Sequence, residues 1–150
     1  MSAGILGHGA TLTVDATTNF TAGSLTTIGD ITSMGGPDHA RDSIDKSTMD
    51  STNKWREFIP GMLDGGEVSV DLNYDGAAAG EASKLNAYLT NATQYWRITL
   101  NDHTTPSNRS RITFAGFMTK LGHAIPYDDK VTQSMTLKVD GAPTHYTHAA

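Results

Sequence analysis

Six histidines, one adjacent pair of carboxylates and one short glycine motif are the groups in this sequence able to do chemistry. Histidine is the commonest metal ligand, and two or three at helix or hairpin spacing would hold zinc or copper. His145 and His148 are three apart, but they fall in a terminal segment expected to fray. His8, His39, His103 and His123 are scattered, with no H-E-x-x-H run and no carboxylate at ligand spacing. Asp128-Asp129 has the makings of an acid and a base, yet within Pro-Tyr-Asp-Asp-Lys it reads as a solvated turn. Gly7-His8-Gly9 lacks the third glycine and the following helix of a dinucleotide site. Neither a G-x-S-x-G elbow nor a phosphate-binding Walker sequence occurs. With no cysteine there is no thiol nucleophile, disulfide or cysteine-based metal site. The expectation is a protein that is not an enzyme and uses no metal or cofactor.

Composition bounds the scaffold that would position any site. At 150 residues, 37% hydrophobic and with 15 glycines, the chain is expected to form a single domain over 1–150. A chain of this size buries about two-thirds of its unfolded surface, which suffices for a core without staples. No apolar run reaches the ~18 residues of a membrane span, so no membrane insertion is expected. Met1 to Ala10 lacks the basic start of an export signal. The net charge of −5 argues against a basic nucleic-acid binder. That charge is unevenly placed: residues 1–75 hold 11 acids against 4 bases, and residues 76–150 hold 5 acids against 7 bases. Such halves attract each other between copies of one chain as readily as within it. Threonine makes up 21 residues, and its branched Cβ favours pleated, half-buried surface over helix.

The periodicity agrees with that lean. Leu12 and Val14 share one strand face against Thr11, Thr13 and Asp15. Leu25 to Met34 reads as extended, with Gly29 a candidate bulge. Glu67 to Asn73 alternates cleanly: Val68, Val70 and Leu72 inward, Glu67, Ser69, Asp71 and Asn73 outward. Trp96, Ile98 and Leu100 repeat the pattern against Tyr95, Arg97 and Thr99. Ile112 and Phe114 begin a further strand whose phase shifts at Ala115-Gly116, as at a bulge. Val131, Gln133, Met135, Leu137 and Val139 close the series against Thr132, Ser134, Thr136 and Lys138. One segment breaks the period of two. Ala77 to Asn91 predicts an amphipathic helix with Ala78, Ala82, Leu85 and Leu89 on its buried stripe. The expected fold class is mainly β, a small β-barrel or sandwich of about six strands with one flanking α-helix.

Residues 37–62 stand apart. They carry nine charges, show neither a period of two nor of 3.6, and end in Trp55, Phe58, Ile59, Pro60 and Met62. Structureless stretches of this length are uncommon in compact domains and are usually functional or disordered. The aromatic end argues for docking on something, and a core position for Trp55 within its own subunit stays open at this stage.

These pieces resemble a known family. The stretch I31-T-S-M-G-G-P-D38, the charged loop, W55-R-E-F-I-P-G-M-L-D-G-G-E-V-S-V-D-L-N-Y74 and the helix before Q94-Y-W-R-I-T-L100 are similar to major tail tube proteins of long-tailed, siphophage-type (non-contractile) bacteriophages. The resemblance runs over about Ala10 to Gly141. Some members carry an added immunoglobulin-like C-terminal domain, and none is expected here; residues 142–150 are expected to be a C-terminal tail.

The resemblance implies hexameric rings stacked into a tail tube, the conduit for DNA ejection into the host. Each subunit would give four strands to a shared inner barrel, whose closure removes exposed edges. With 24 strands at ~4.8 Å spacing and ~45° tilt, the backbone radius is roughly 25 Å, wide enough for a DNA duplex. The location implied is the virion tail, after the host cytoplasm. The partners implied are the chain itself, the tape measure protein, the tail terminator and the distal tail protein. A basic lumen would hold DNA by releasing its counterions, so a conduit is expected to be acidic and small-polar inside. Lumen candidates are Glu67, Ser69, Asp71, Thr132, Ser134 and Thr136, with DNA passing without specific binding. Candidates for contact between rings are Asp42, Asp45, Lys46, Asp50 and Lys54 for register, with Trp55, Phe58 and Ile59 for buried area. Two other readings remain at this stage. One is an inner-tube protein of a contractile tail or secretion system. The other, from a different class, is a β-sandwich carbohydrate-binding module using Trp55, Tyr95 and Trp96 as sugar platforms.

Overall fold

A computed structural model describes residues 7–15, 20, 25–76 and 79–147 of the chain. Nine strands and one α-helix occur among them: β1 Thr11–Asp15, β2 Thr26–Ile28, β3 Ile31–Gly35, β4 Ala40–Asp45, β5 Phe58–Asp64, β6 Glu67–Asn73, α1 Ala79–Leu89, β7 Gln94–Thr99, β8 Arg111–Ala124 and β9 Thr132–Tyr146. Seven strands form one antiparallel sheet in the order β2-β1-β7-β8-β9-β6-β3. Strands β4 and β5 form a separate two-stranded ribbon.

The long strands β8 and β9 let one sheet make two walls. The first part of β8 pairs with β7, from Thr99↔Arg111 to Gln94↔Gly116, and its last part pairs with the start of β9. Register shifts at Thr113/Ala115 and Met118/Lys120 bend the ladder between them. One wall then turns Leu12, Val14, Ile28, Trp96, Ile98 and Phe114 inward; the other turns Val68, Val70, Leu72, Met118, Met135 and Leu137 inward. All are buried in a single core. Alternation alone specifies this, because a one-residue slip would put every apolar side chain of a strand in water.

The structure corrects several expectations. Leu25–Met34 is two strands on opposite edges of the sheet, split at Asp30 with φ 57°, so Gly29 marks a break and not a bulge. The last strand runs on to Tyr146, with Thr144–Tyr146 paired to Arg111–Thr113, so residues 142–146 are sheet and not tail. His148 lies outside the described residues, as do Ala77 and Ala78 at the start of the helical segment. The helix packs on a different face from the one its leucines predict. Lys84 and Ala87 are buried, whereas Leu85, Tyr88 and Leu89 are exposed. Lys84 is only 3% exposed because its ammonium is answered on two sides, by Glu81 and by Gln133 Oε1 at 2.9 Å. Gln133 Nε2 donates in turn to Glu81 Oε2 at 2.7 Å, closing a triangle that fixes α1 against β9. A buried cation persists only when paired and hydrogen-bonded in this way.

Candidate functional site

The second wall, β3-β6-β9-β8, has a polar outer face ordered by its register. Gly35, Ser69, Thr136 and Lys120 form one row across four strands, and Ser33, Asp71, Ser134 and Gly122 form the next. Asn73, Thr132 and Ala124 form a third, and Glu67, Lys138 and Phe117 a fourth. All six lumen candidates therefore share one face. Ser33 Oγ donates to Asp71 Oδ2 at 3.2 Å and Thr32 Oγ1 to the Asp71 carbonyl at 3.1 Å, which hold the edge strand in place. Sequence alternation put Lys138 on this face with Thr132, Ser134 and Thr136, but did not find Lys120. Lys120 is rotated onto it by the register shift at Met118/Lys120, and Lys138 is bound to Asp64 at 3.0 Å.

The stretch expected to be a structureless loop is instead the β4–β5 ribbon. Its pairing runs from Ala40↔Asp64 to Asp45↔Phe58, and its tip carries a 3₁₀ turn, Thr52–Lys54. Both faces of the ribbon are wet, so neither strand shows the alternation of a half-buried one. Its exposed apolar side chains are Ile44, Met49, Trp55, Phe58, Ile59, Met62 and Leu63. Trp55 is 76% exposed, which excludes a core position in its own subunit. Inside the ribbon, Lys46 pairs with Glu57 at 3.3 Å, and the hydroxyl and amide of Ser47 hold the Asp45 carboxyl below its ordinary pKa.

Tight backbone contacts fix the direction in which the ribbon leaves. Gly66 has φ 74°, and a Cβ there would lie 1.9 Å from the Asp38 carbonyl oxygen, so only glycine fits. Across the same base, Asp64 accepts from the Gly66 amide at 2.8 Å and from Lys138; both hold its carboxyl below the ordinary range. His39 and His145 also meet here with Nε2 atoms 3.1 Å apart. Their ring centroids are 5.3 Å apart, the spacing of two rings pointing nitrogen to nitrogen, so one donates and the other accepts.

The other chemical expectations resolve simply. Among the described residues no three His, Asp or Glu side chains gather at metal-binding distance. Asp128 and Asp129 lie in the exposed turn between β8 and β9. Trp96 is fully buried and donates Nε1–H to the Gly116 carbonyl at 3.3 Å, so it offers no platform for a sugar. On the outer face of the first wall, burial and the neighbouring Arg111 lower the Arg97 pKa, opposed by Asp15, while Phe20 stacks 4.0 Å from its guanidinium.

Comparison with known proteins agrees with this geometry. No match was found among curated protein sequences. Solved structures share the fold over nearly the whole chain, and three of them show its range. One is the tail of an empty gene transfer agent particle in C6 symmetry, with TM-score 0.66, 14% identity, and 93% of this chain and 95% of that one covered. A second is the SPP1 tail tube, with TM-score 0.67, 15% identity, and 98% and 81% covered. The third is a sheath/tube terminator structure of an extracellular contractile injection system, with TM-score 0.71, 16% identity, and 97% and 99% covered. At these identities the likeness is one of fold. The sequence itself fits the model of the lambda phage tail tube protein over residues 12–146. This chain belongs to the lambda phage tail tube protein family, and it is a structural component of the virion tail.

Proposed function

We propose that six copies close into a ring through β3, β6, β9 and β8, and that rings stack through the β4–β5 ribbon into a non-contractile tube. The observation that carries this reading is the four-strand wall with one small, polar, uncovered face. Six such walls make a closed barrel of 24 strands, roughly 25 Å in backbone radius, with no free edge. Serine, threonine and glycine fill half of the positions in its rows, and the two rows through Ser69 and Asp71 hold no side chain longer than that of Asp71 apart from Lys120. The second support is the ribbon, a set of exposed apolar side chains that one subunit cannot bury.

In this reading residues 1–150 act as one tail tube domain without catalysis. The chain moves from host cytoplasm to virion tail and meets a tape measure protein within, a tail terminator at one end and a distal tail protein at the other. DNA passes through without specific binding. Glu67 and Asp71 repel phosphate around the ring, and Lys138 is held by Asp64, which leaves Lys120 as the face's cation without an ion-pair partner among the described residues.

Replacing Glu67 and Asp71 by lysine tests the lumen. The double variant should still form tubes, since both side chains are exposed and the backbone pairing of β3 with β6 and the Thr32 bond to the Asp71 carbonyl remain; only the Ser33–Asp71 side-chain bond is lost. Its tubes should retain a short DNA duplex at low salt and release it steeply as salt rises, because each phosphate neutralised contributes a slope of about −0.9 in log affinity against log salt. Wild-type tubes should pass the same duplex. Equal retention by wild-type and lysine tubes would place these residues outside the lumen.

A further inference from the structure

The register of the wall sets the ribbon and the β8–β9 turn at opposite ends of the subunit. The ribbon departs after Gly35 and returns before Glu67, at the row of Glu67 and Lys138. The β8–β9 turn, residues 125–131, leaves from Ala124↔Thr132, at the row of Asn73. Six residue steps along β6 separate these rows, or about 20 Å of strand. The turn carries two large apolar side chains with no work in their own subunit: Ile125 is 77% exposed and Tyr127 fully so. Asp128, Asp129 and Lys130 complete it, and Asp129 Oδ1 is bound to the Lys130 amide at 2.7 Å.

A filament of one kind of chain is built by a heterologous contact, so whatever projects from one end of a subunit must meet a complement at the other end of its neighbour. Resting on the stacking role proposed above for the ribbon, we propose that the Ile125–Lys130 turn is the surface that receives the β4–β5 ribbon of the subunit in the next ring. The chemistry of the two matches. Trp55, Phe58 and Ile59 on the ribbon face Ile125 and Tyr127 on the turn, all exposed. The ribbon spends some of its charge internally, in Lys46–Glu57 and in Asp45 with Ser47 and Arg56. Arg41 and Lys54 are left without an ion pair among the described residues, as is Asp128 on the turn. Asp42 and Asp50 on the ribbon answer Lys130 in the same way. Opposed patterns of this kind fix register more than they add affinity.

The chain contains no cysteine, which makes the contact directly testable. Lys54→Cys and Tyr127→Cys in one chain cannot meet within a subunit, being at opposite ends. In assembled tubes a short bismaleimide should join them into a ladder that continues past six subunits on a denaturing gel. Unassembled chains should remain monomeric. Tubes that give no ladder, or a ladder that stops at six, would overturn the pairing. The stacking role itself fails separately, if a chain without the ribbon still makes tubes. Should the cysteine variant not assemble, charge exchange decides. Asp128→Lys with Asp129→Lys should cut tube yield about tenfold or more. Adding Lys54→Asp, at the ribbon's tip, should restore it at least in part, and no recovery overturns the proposal.

Discussion

Replacing residues 42–62 by Asn-Gly abolishes tube assembly and leaves a folded, soluble subunit. The deletion follows the register: Arg41 and Leu63 are paired across the ribbon, so a two-residue turn joins them without moving the base. What remains keeps the Asp64–Lys138 and His39–His145 contacts and every buried residue of the core. What is lost is the exposed set Ile44, Met49, Trp55, Phe58, Ile59 and Met62, together with all the ring-to-ring candidates from Asp42 to Ile59. Circular dichroism should give an unfolding midpoint close to wild type, while sedimentation finds no particle larger than a ring. Trp55→Ala is the milder form of the same test. An aromatic anchor at an interface centre is worth about 2 kcal/mol or more, so its loss should raise the concentration needed for assembly at least tenfold. Because Trp55 lies outside the core, the isolated subunit should not notice. Normal tubes from the shortened chain would remove the ribbon from the account.

Trp96→Ala should have the opposite profile, with the subunit itself failing. Trp96 is fully buried opposite Val14 and Phe114, on the strand that joins β1 to β8. Truncating such a side chain costs about 3–5 kcal/mol, from a total that rarely exceeds about 15. The Gly116 carbonyl also loses the indole donor that it now has at 3.3 Å. At roughly 2–4 °C per kcal/mol, the midpoint should fall by about 10 °C, and tubes should be lost at the temperature where the subunit melts. Trp96→Phe should recover most of this, since it keeps ring volume and gives up the N–H. A midpoint within 2 °C or so of wild type for the alanine variant would mean that the two walls do not share one core.

The strands with one buried face were legible in the sequence, and those without one were not. Val68, Val70 and Leu72 against Glu67, Ser69 and Asp71 gave the wall and its polar face, because a half-buried strand must alternate. That same alternation brought all six lumen candidates to one face. Strands β4 and β5 escaped because both of their faces are exposed in the subunit, so no periodic pattern is imposed on them. Their signals were the glycines at the base, Gly35-Gly36 and Gly65-Gly66, and the apolar residues stranded among charges. The helix misled for a related reason. Leu85 and Leu89 formed the obvious stripe, yet the buried face holds Lys84, whose charge is balanced by Glu81 on α1 and whose ammonium donates to Gln133 Oε1, 49 residues away on β9. A partner that distant leaves no local trace. The break at Asp30 was hidden by a run of threonine and isoleucine suited to either one strand or two.

The central claim is that six copies of the β3-β6-β9-β8 wall close around a lumen with their polar face inward. Cryo-electron microscopy of purified, assembled chain tests it most directly. Hollow tubes are expected, with a six-fold cross-section and an inner barrel of 24 strands, and with Ser69, Asp71, Ser134 and Thr136 facing the channel. Tubes of another symmetry, or a channel lined by the Arg97 and Arg111 face of the first wall, would contradict it.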